Sequence, residues 1–158
     1  MRSFHAADES VLHTLAASLA TPLVDHLQMR PQGDAALMTL HGELGAGKSA
    51  FTRALLRSLG HTGAVPSPTY TLIESYSTGG LAIAHADFYR LASPDELDFL
   101  GIEEVLEAHD LLCVEWPERA GDRLPVADLE LRLEYADGGG RHLFFSGALA
   151  ELILPTSL

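Results

Sequence analysis

Apolar residues recur at helical spacing over Val11, Leu12, Leu15, Ala16 and Leu19, which predicts a first helix capped by Asp8 and ending before Pro22 or soon after it. The pattern changes after the turn-like Pro31-Gln32-Gly33-Asp34. Ala35 to His41 is a short apolar run with clear bounds, as expected of a buried strand. Directly behind it stands Gly42-Glu43-Leu44-Gly45-Ala46-Gly47-Lys48-Ser49. From Lys48 a second helical stripe follows, made of Phe51, Ala54, Leu55 and Leu59 and closed by Gly60.

Further along, Thr71 to Tyr76 and Leu81 to Asp87 read as two strands joined by Ser77-Thr78-Gly79-Gly80 in a hairpin. Ser93-Pro94-Asp95-Glu96 is a capping box with proline at the first helical position, opening a helix through Leu97 and Leu100. Gly101 interrupts that helix before a second short one from Ile102 to about Ala108. Leu111 to Glu115 is another apolar strand, ending in a carboxylate. Leu129 to Tyr135 and His142 to Ser146 flank Ala136 to Arg141 as a further hairpin. Hairpins among otherwise buried strands predict a mixed sheet.

Composition narrows the picture. A chain of 158 residues that is 47% hydrophobic buries one core, so a single domain over residues 1–158 is expected. A net charge of -12 argues against a direct grip on nucleic acid, which needs a basic surface to displace counterions. The single cysteine, Cys113, lies in the apolar run Leu111 to Val114 and reads as a buried strand residue. Nothing marks a signal peptide, and His13, Thr14 and Ser18 break the apolar stretch from Val11 to Val24, so a soluble, cytoplasmic protein without a membrane is expected. The eight histidines are scattered and predict no zinc site.

The segment from Gly42 to Ser49 fits G-x-x-x-x-G-K-[ST] at every fixed position, between a strand and a helix as a phosphate loop requires. Lys48 is the only lysine in the chain; every other cationic side chain apart from the histidines is arginine. A compact ammonium on a flexible stem does at that position what a planar guanidinium does not. Gly42, Gly45 and Gly47 permit backbone conformations that let successive N–H groups turn toward phosphate oxygens. The helix start adds its positive dipole end. Lys48 is expected at the β- and γ-phosphates and the Ser49 hydroxyl on magnesium, implying a magnesium nucleotide.

Ligands collect at the carboxyl ends of strands in such sheets, and Asp87 and Glu115 both end strands. Either can hold the metal or orient water, and the sequence leaves the roles undivided; an exposed strand-end charge or a helix cap is the plain alternative for each. Ser67-Pro68-Thr69-Tyr70-Thr71 lies where nucleotide switches commonly sit. Trp116, the only tryptophan, directly follows Glu115.

Four blocks together resemble the TsaE family of small bacterial ATPases: the phosphate loop, Ser67-Pro68-Thr69-Tyr70-Thr71-Leu72, His85-Ala86-Asp87-Phe88-Tyr89-Arg90-Leu91, and Glu115-Trp116-Pro117-Glu118. The resemblance covers nearly the whole chain. It implies an α/β fold of the P-loop NTPase kind, a three-layer sandwich with a mixed parallel and antiparallel central sheet flanked by helices. It also implies that Gly42 and Leu44, Gly45, Ala46, Gly47, Lys48 and Ser49 wrap the phosphates of ATP, that Ser49 and Glu115 hold Mg2+, and that Asp87 supports metal and hydrolysis. Ser67 to Thr71 and Trp116 become the switch and partner-responsive residues. Glu9, at the start of the first helix, and Arg141, in the late hairpin, stand where the family places an acid and a base near the nucleotide. Glu43 and Ser49 depart from the family's frequent Asp and Thr, keeping the charge and the hydroxyl.

The activity so implied is slow, partner-stimulated ATP hydrolysis. It serves formation of the threonylcarbamoyl group on adenosine 37 of tRNAs reading codons that begin with adenine, with the TsaB and TsaD proteins as partners and tRNA met only through them. Two other classes stay open from sequence. One is a small-molecule kinase, with Arg119 and Arg123 as candidates for a closing lid. The other is a nucleotide-gated binding module with negligible turnover.

Overall fold

The computed structural model describes residues 1–66, 68 and 70–154. Among them, β1 (Arg2–Ala6), β2 (Ala36–His41), β3 (Ile73–Thr78), β4 (Leu81–Asp87), β5 (Leu111–Glu115), β6 (Leu129–Tyr135) and β7 (Arg141–Ser146) form one sheet in the order β1-β7-β6-β2-β5-β4-β3. β6, β2, β5 and β4 run parallel to one another, while β3 pairs antiparallel with β4 at one edge and β7 and β1 continue antiparallel at the other. The expected mixed sheet is present.

Helices α1 (Glu9–Met29) and α2 (Lys48–Ser58) cover one face, joined at the chain's end by α5 (Ala150–Ile153). Helices α3 (Glu96–Leu100) and α4 (Ile102–Ala108) cover the other face over β2, β5 and β4. That third layer stops there: beyond it β6 exposes Glu130, Arg132 and Glu134 while burying Leu129, Leu131 and Leu133.

The central strands are apolar on both faces, as parallel strands between helices must be. Their two-residue period still sorts the side chains. Ile83, Leu111 and Cys113 face α1 and α2, whereas Ala84, Ala86, Leu112 and Val114 face α3 and α4. Continuing the alternation carries His85 and Asp87 on β4, and Glu115 on β5, to the α2 side. The strand register places Asp87 directly opposite Glu115.

Local expectations are corrected at α1, β3 and β7, and three further elements are unexpected. The first helix does not stop at Pro22 but runs to Met29. A proline inside a helix costs about 3 kcal/mol, and burying Leu23 and Leu27 beyond it returns about 1.5–3 kcal/mol each. The strand expected from Thr71 begins at Ile73 and extends through Thr78, with Gly79 and Gly80 alone making the turn; their φ angles of 60° and 80° suit a two-residue hairpin loop. Arg141 belongs to β7, not to the loop before it. The strand β1, the 3-10 turn Pro117–Ala120 and α5 carry no periodic signal long enough to predict.

Elsewhere local chemistry sets the boundaries as expected. Asp8 caps α1 by accepting hydrogen bonds from the Ser10 and Val11 amides at 2.9 and 3.2 Å. The amides of Gly60 and His61 close α2 on the carbonyls of Arg57 and Leu56. At α3 the expected capping box forms only in part: Glu96 accepts the Ser93 amide at 3.2 Å, but the helix opens at Glu96 behind Asp95 and not at Pro94. Among the described residues no helix is long and apolar enough to cross a membrane.

Candidate phosphate and metal site

The loop between β2 and α2 owes its path to glycine. Gly42, Gly45 and Gly47 have φ of 142°, 79° and 109°, and a Cβ on Gly42 would stand 2.5 Å from the Leu133 carbonyl oxygen. The amides of Leu44, Gly45, Gly47, Lys48 and Ser49 donate to no acceptor among the described residues. Such a run of unpartnered N–H groups at the start of a helix is a cradle for an anion.

Lys48 is folded back over this loop. Its Nζ donates to the carbonyls of Gly42 and Glu43 at 2.6 and 2.9 Å and lies 4.0 Å from the Trp116 ring centroid, an arrangement that leaves the side chain 4% exposed. Burial holds the ammonium below the usual lysine range, against the opposing pull of Glu115, Glu118 and Asp87. Trp116 takes a left-handed φ of 57° and sets its ring 4.9 Å from that of Tyr89.

Ser49, Glu115 and His85 form a chain of contacts across three elements. The Ser49 hydroxyl donates to Glu115 Oε2 at 2.9 Å. His85 Nε2 lies 2.7 Å from Glu115 Oε1. Asp87 accepts the Tyr89 amide at 3.0 Å and, with Lys48, Ser49, Glu115 and Trp116, lines a hollow of about 480 Å³. A hydroxyl and carboxylates gathered beside an anion cradle are the oxygen donors that magnesium takes, usually together with substrate phosphates. The residues present therefore fit a magnesium nucleotide.

A second hollow of about 290 Å³ lies on the other side of the loop and is lined by Glu9, Gly45, Ala46, Gly47 and Arg141. Arg141 is fixed there, donating to the carbonyls of Ala46 and Gly45 at 3.1 and 3.3 Å and stacking 3.9 Å over Tyr135. The two residues placed near a nucleotide by resemblance thus line one hollow beside the loop.

The segment from Ser67 to Thr71 is described only in part, since Ser67 and Thr69 lie outside the described residues. Pro68 accepts the Leu72 amide, Thr71 donates to Glu74 at 2.6 Å, and Tyr70 lies under the Arg90 guanidinium at 4.8 Å. Arg90 in turn lines the larger hollow. Arg119 and Arg123, weighed as a lid, do not line it, and Arg123 is tied to Asp95 and Asp98. The sequence assigns no role to Arg53, Arg90 or His85, although the last two stand in the block His85 to Leu91. Arg53 sits one turn beyond Ser49 on α2, and His85 sits two strand positions before Asp87; in each case the spacing alone points to the same face.

The family model described as "Threonylcarbamoyl adenosine biosynthesis protein TsaE" matches residues 7–143. The chain is 45% identical over 103 residues to the Haemophilus influenzae tRNA threonylcarbamoyladenosine biosynthesis protein TsaE, covering 65% of this chain and 65% of that protein, a little under two thirds of its length. It is 32% identical over 145 residues to the Bacillus subtilis protein of the same name, covering 92% of this chain and 83% of that one. The crystal structure of Bacillus subtilis YdiB superimposes with a TM-score of 0.73 at 26% identity, over 96% of this chain and 88% of that chain. The match of the family model over residues 7–143, with the 32% identity to the Bacillus subtilis protein over 92% of the chain, shows that the chain belongs to the TsaE family.

Proposed function

We propose that this chain binds ATP with magnesium at the phosphate loop and hydrolyses it slowly, with turnover stimulated by partner proteins. The observation that carries the reading is the Ser49 hydroxyl held 2.9 Å from Glu115 with Asp87 in register beside it. Lysine, hydroxyl and two carboxylates are the working parts of a phosphate-loop hydrolase.

In this reading the loop amides and the Lys48 ammonium take the phosphate oxygens. Lys48 then exchanges its carbonyl partners for the β- and γ-phosphates. Ser49 and Glu115 hold the metal. Magnesium, when bound, neutralises charge that builds on the β- and γ-oxygens. Asp87, on the strand beside Glu115, orients the attacking water and supports the metal's shell. Glu9 and Arg141 face the nucleoside side of the loop. Trp116 and Tyr89 wall the γ-phosphate side, where Tyr70 and Arg90 connect it to the 67–71 segment. The response to the γ-phosphate is assigned to that segment, whose Tyr70 reaches Arg90.

The names of the relatives support a role in threonylcarbamoyladenosine synthesis on tRNA, and the net charge of -12 suits docking to proteins better than to tRNA. We therefore place the chain with the TsaB and TsaD proteins, acting in the cytoplasm and meeting tRNA through them. Phosphate release, measured with and without those two proteins, tests the reading. Stimulated turnover in the wild type, abolished in Asp87→Ala and in Glu115→Ala, is the expected result. Full stimulated turnover in both variants refutes the assignment, and a phosphorylated small-molecule acceptor would move the chain to the kinases.

A further inference from the structure

His85 is fully buried on β4, one strand in from the edge of the sheet, an unusual place for a polar ring unless something holds it there. Its Nε2 lies 2.7 Å from Glu115 Oε1, and Nδ1 has no hydrogen-bond partner among the described residues. With no acceptor at Nδ1, the ring hydrogen belongs on Nε2, where the carboxylate accepts it. Glu115 is itself only 2% exposed. Its two oxygens are divided: Oε2 faces Ser49 on α2, and Oε1 faces His85 on β4. Removing His85 would leave one oxygen of a buried carboxylate without a partner, and the side chain would lose the contact that fixes its rotation.

We infer that His85 is a positioning residue: through Nε2–H it orients Glu115 so that the oxygen beside Ser49 is presented to the metal. This rests on the magnesium-nucleotide reading of the site and deepens it. Ligating carboxylates are commonly held in this way by a partner that never touches the metal, and loss of such a partner lowers metal affinity about 10- to 100-fold. His85 does not line the hollow, so it acts on the nucleotide only through Glu115.

The test is equilibrium binding of ATP by calorimetry, in excess magnesium and in EDTA, to the full chain carrying His85→Leu, His85→Gln or His85→Asn. A glutamine amide reaches about as far as Nε2 and preserves the donor, while an asparagine amide is too short. The expected result is that His85→Leu and His85→Asn lose about 10- to 100-fold of the magnesium-dependent gain in affinity. Both should keep their magnesium-free affinity, and His85→Gln should retain most of the gain. If His85→Leu does not fold, the Gln and Asn pair decides alone. A folded Leu or Asn variant with the full magnesium gain, or a Gln variant as impaired as Asn, overturns the inference while leaving the site reading intact. A wild-type chain with no magnesium gain at all overturns both.

Discussion

Ser49 donates its hydroxyl to Glu115 across 2.9 Å, joining the first turn of α2 to the end of β5 over 66 residues of chain. The contact exists because the alternation of β5 and the start of α2 bring a hydroxyl and a carboxylate to one side of the sheet. Ser49→Ala should therefore cost the magnesium-dependent part of nucleotide affinity, by at least about 10-fold if the hydroxyl is a ligand. Ser49→Thr, which keeps the hydroxyl, should retain it. Calorimetric titration with ATP in magnesium and in EDTA checks both; equal affinities for wild type and Ser49→Ala in magnesium would sink this role.

The loop glycines separate two sources of strain. Gly42→Ala places a methyl 2.5 Å from a backbone oxygen, whereas Gly138, at φ 90°, has nothing within 4 Å. Both variants carry a left-handed backbone cost of about 1–3 kcal/mol, and only Gly42→Ala adds a collision with the main chain. Denaturant unfolding should find Gly42→Ala the less stable of the two, with Gly138→Ala folded and still able to bind nucleotide. The reverse order would show that the loop does not need its observed path.

Cys113 gives the chain an alkaline liability. Burial pushes its thiol from 9.0 up to about 12, with Glu115 adding to the shift. The folded state therefore holds the thiol proton longer than the unfolded state does. The contribution is fully present below pH 9 and is lost as pH rises toward about 12. By pH 10 the loss is about 1.4 kcal/mol relative to neutral pH. Chemical denaturation at pH 8 and pH 10 should show a smaller decline for Cys113→Ala than for the wild type. Equal declines would contradict the assigned burial.

The legible parts of this molecule are those in which short-range chemistry and long-range packing agree. Strand, loop and α2 were readable because Gly42 to Ser49 has one compatible backbone path and the stripe from Phe51 to Leu59 one apolar face. Asp87 and Glu115 were readable as strand ends, and two-residue alternation then gives their common face. The end of α1 was not, because Pro22 is a local stop signal overridden by the burial of Leu23 and Leu27. Nor was β1, whose five residues acquire meaning only by pairing with β7 near the far end of the chain. His85 was visible in a quoted block but not its role, since the partner that explains it lies 30 residues away. The uncovered face at β6 shows in the alternation of Leu129, Leu131 and Leu133 with Glu130, Arg132 and Glu134, whereas which strands α3 and α4 cover does not show in any local pattern.

Lys48 carries the central claim. It is the only lysine, and in this structure its ammonium is held by Gly42, Glu43 and the Trp116 ring where phosphates are expected. Calorimetric titration of wild type and Lys48→Ala with ATP in excess magnesium is the most direct test. Saturable one-to-one binding to the wild type is expected, with a loss of at least about 2 kcal/mol, near 30-fold, in the variant, the usual cost of truncating one partner of a buried charge pair. Equal affinity for ATP in the two proteins, with both folded, would contradict it.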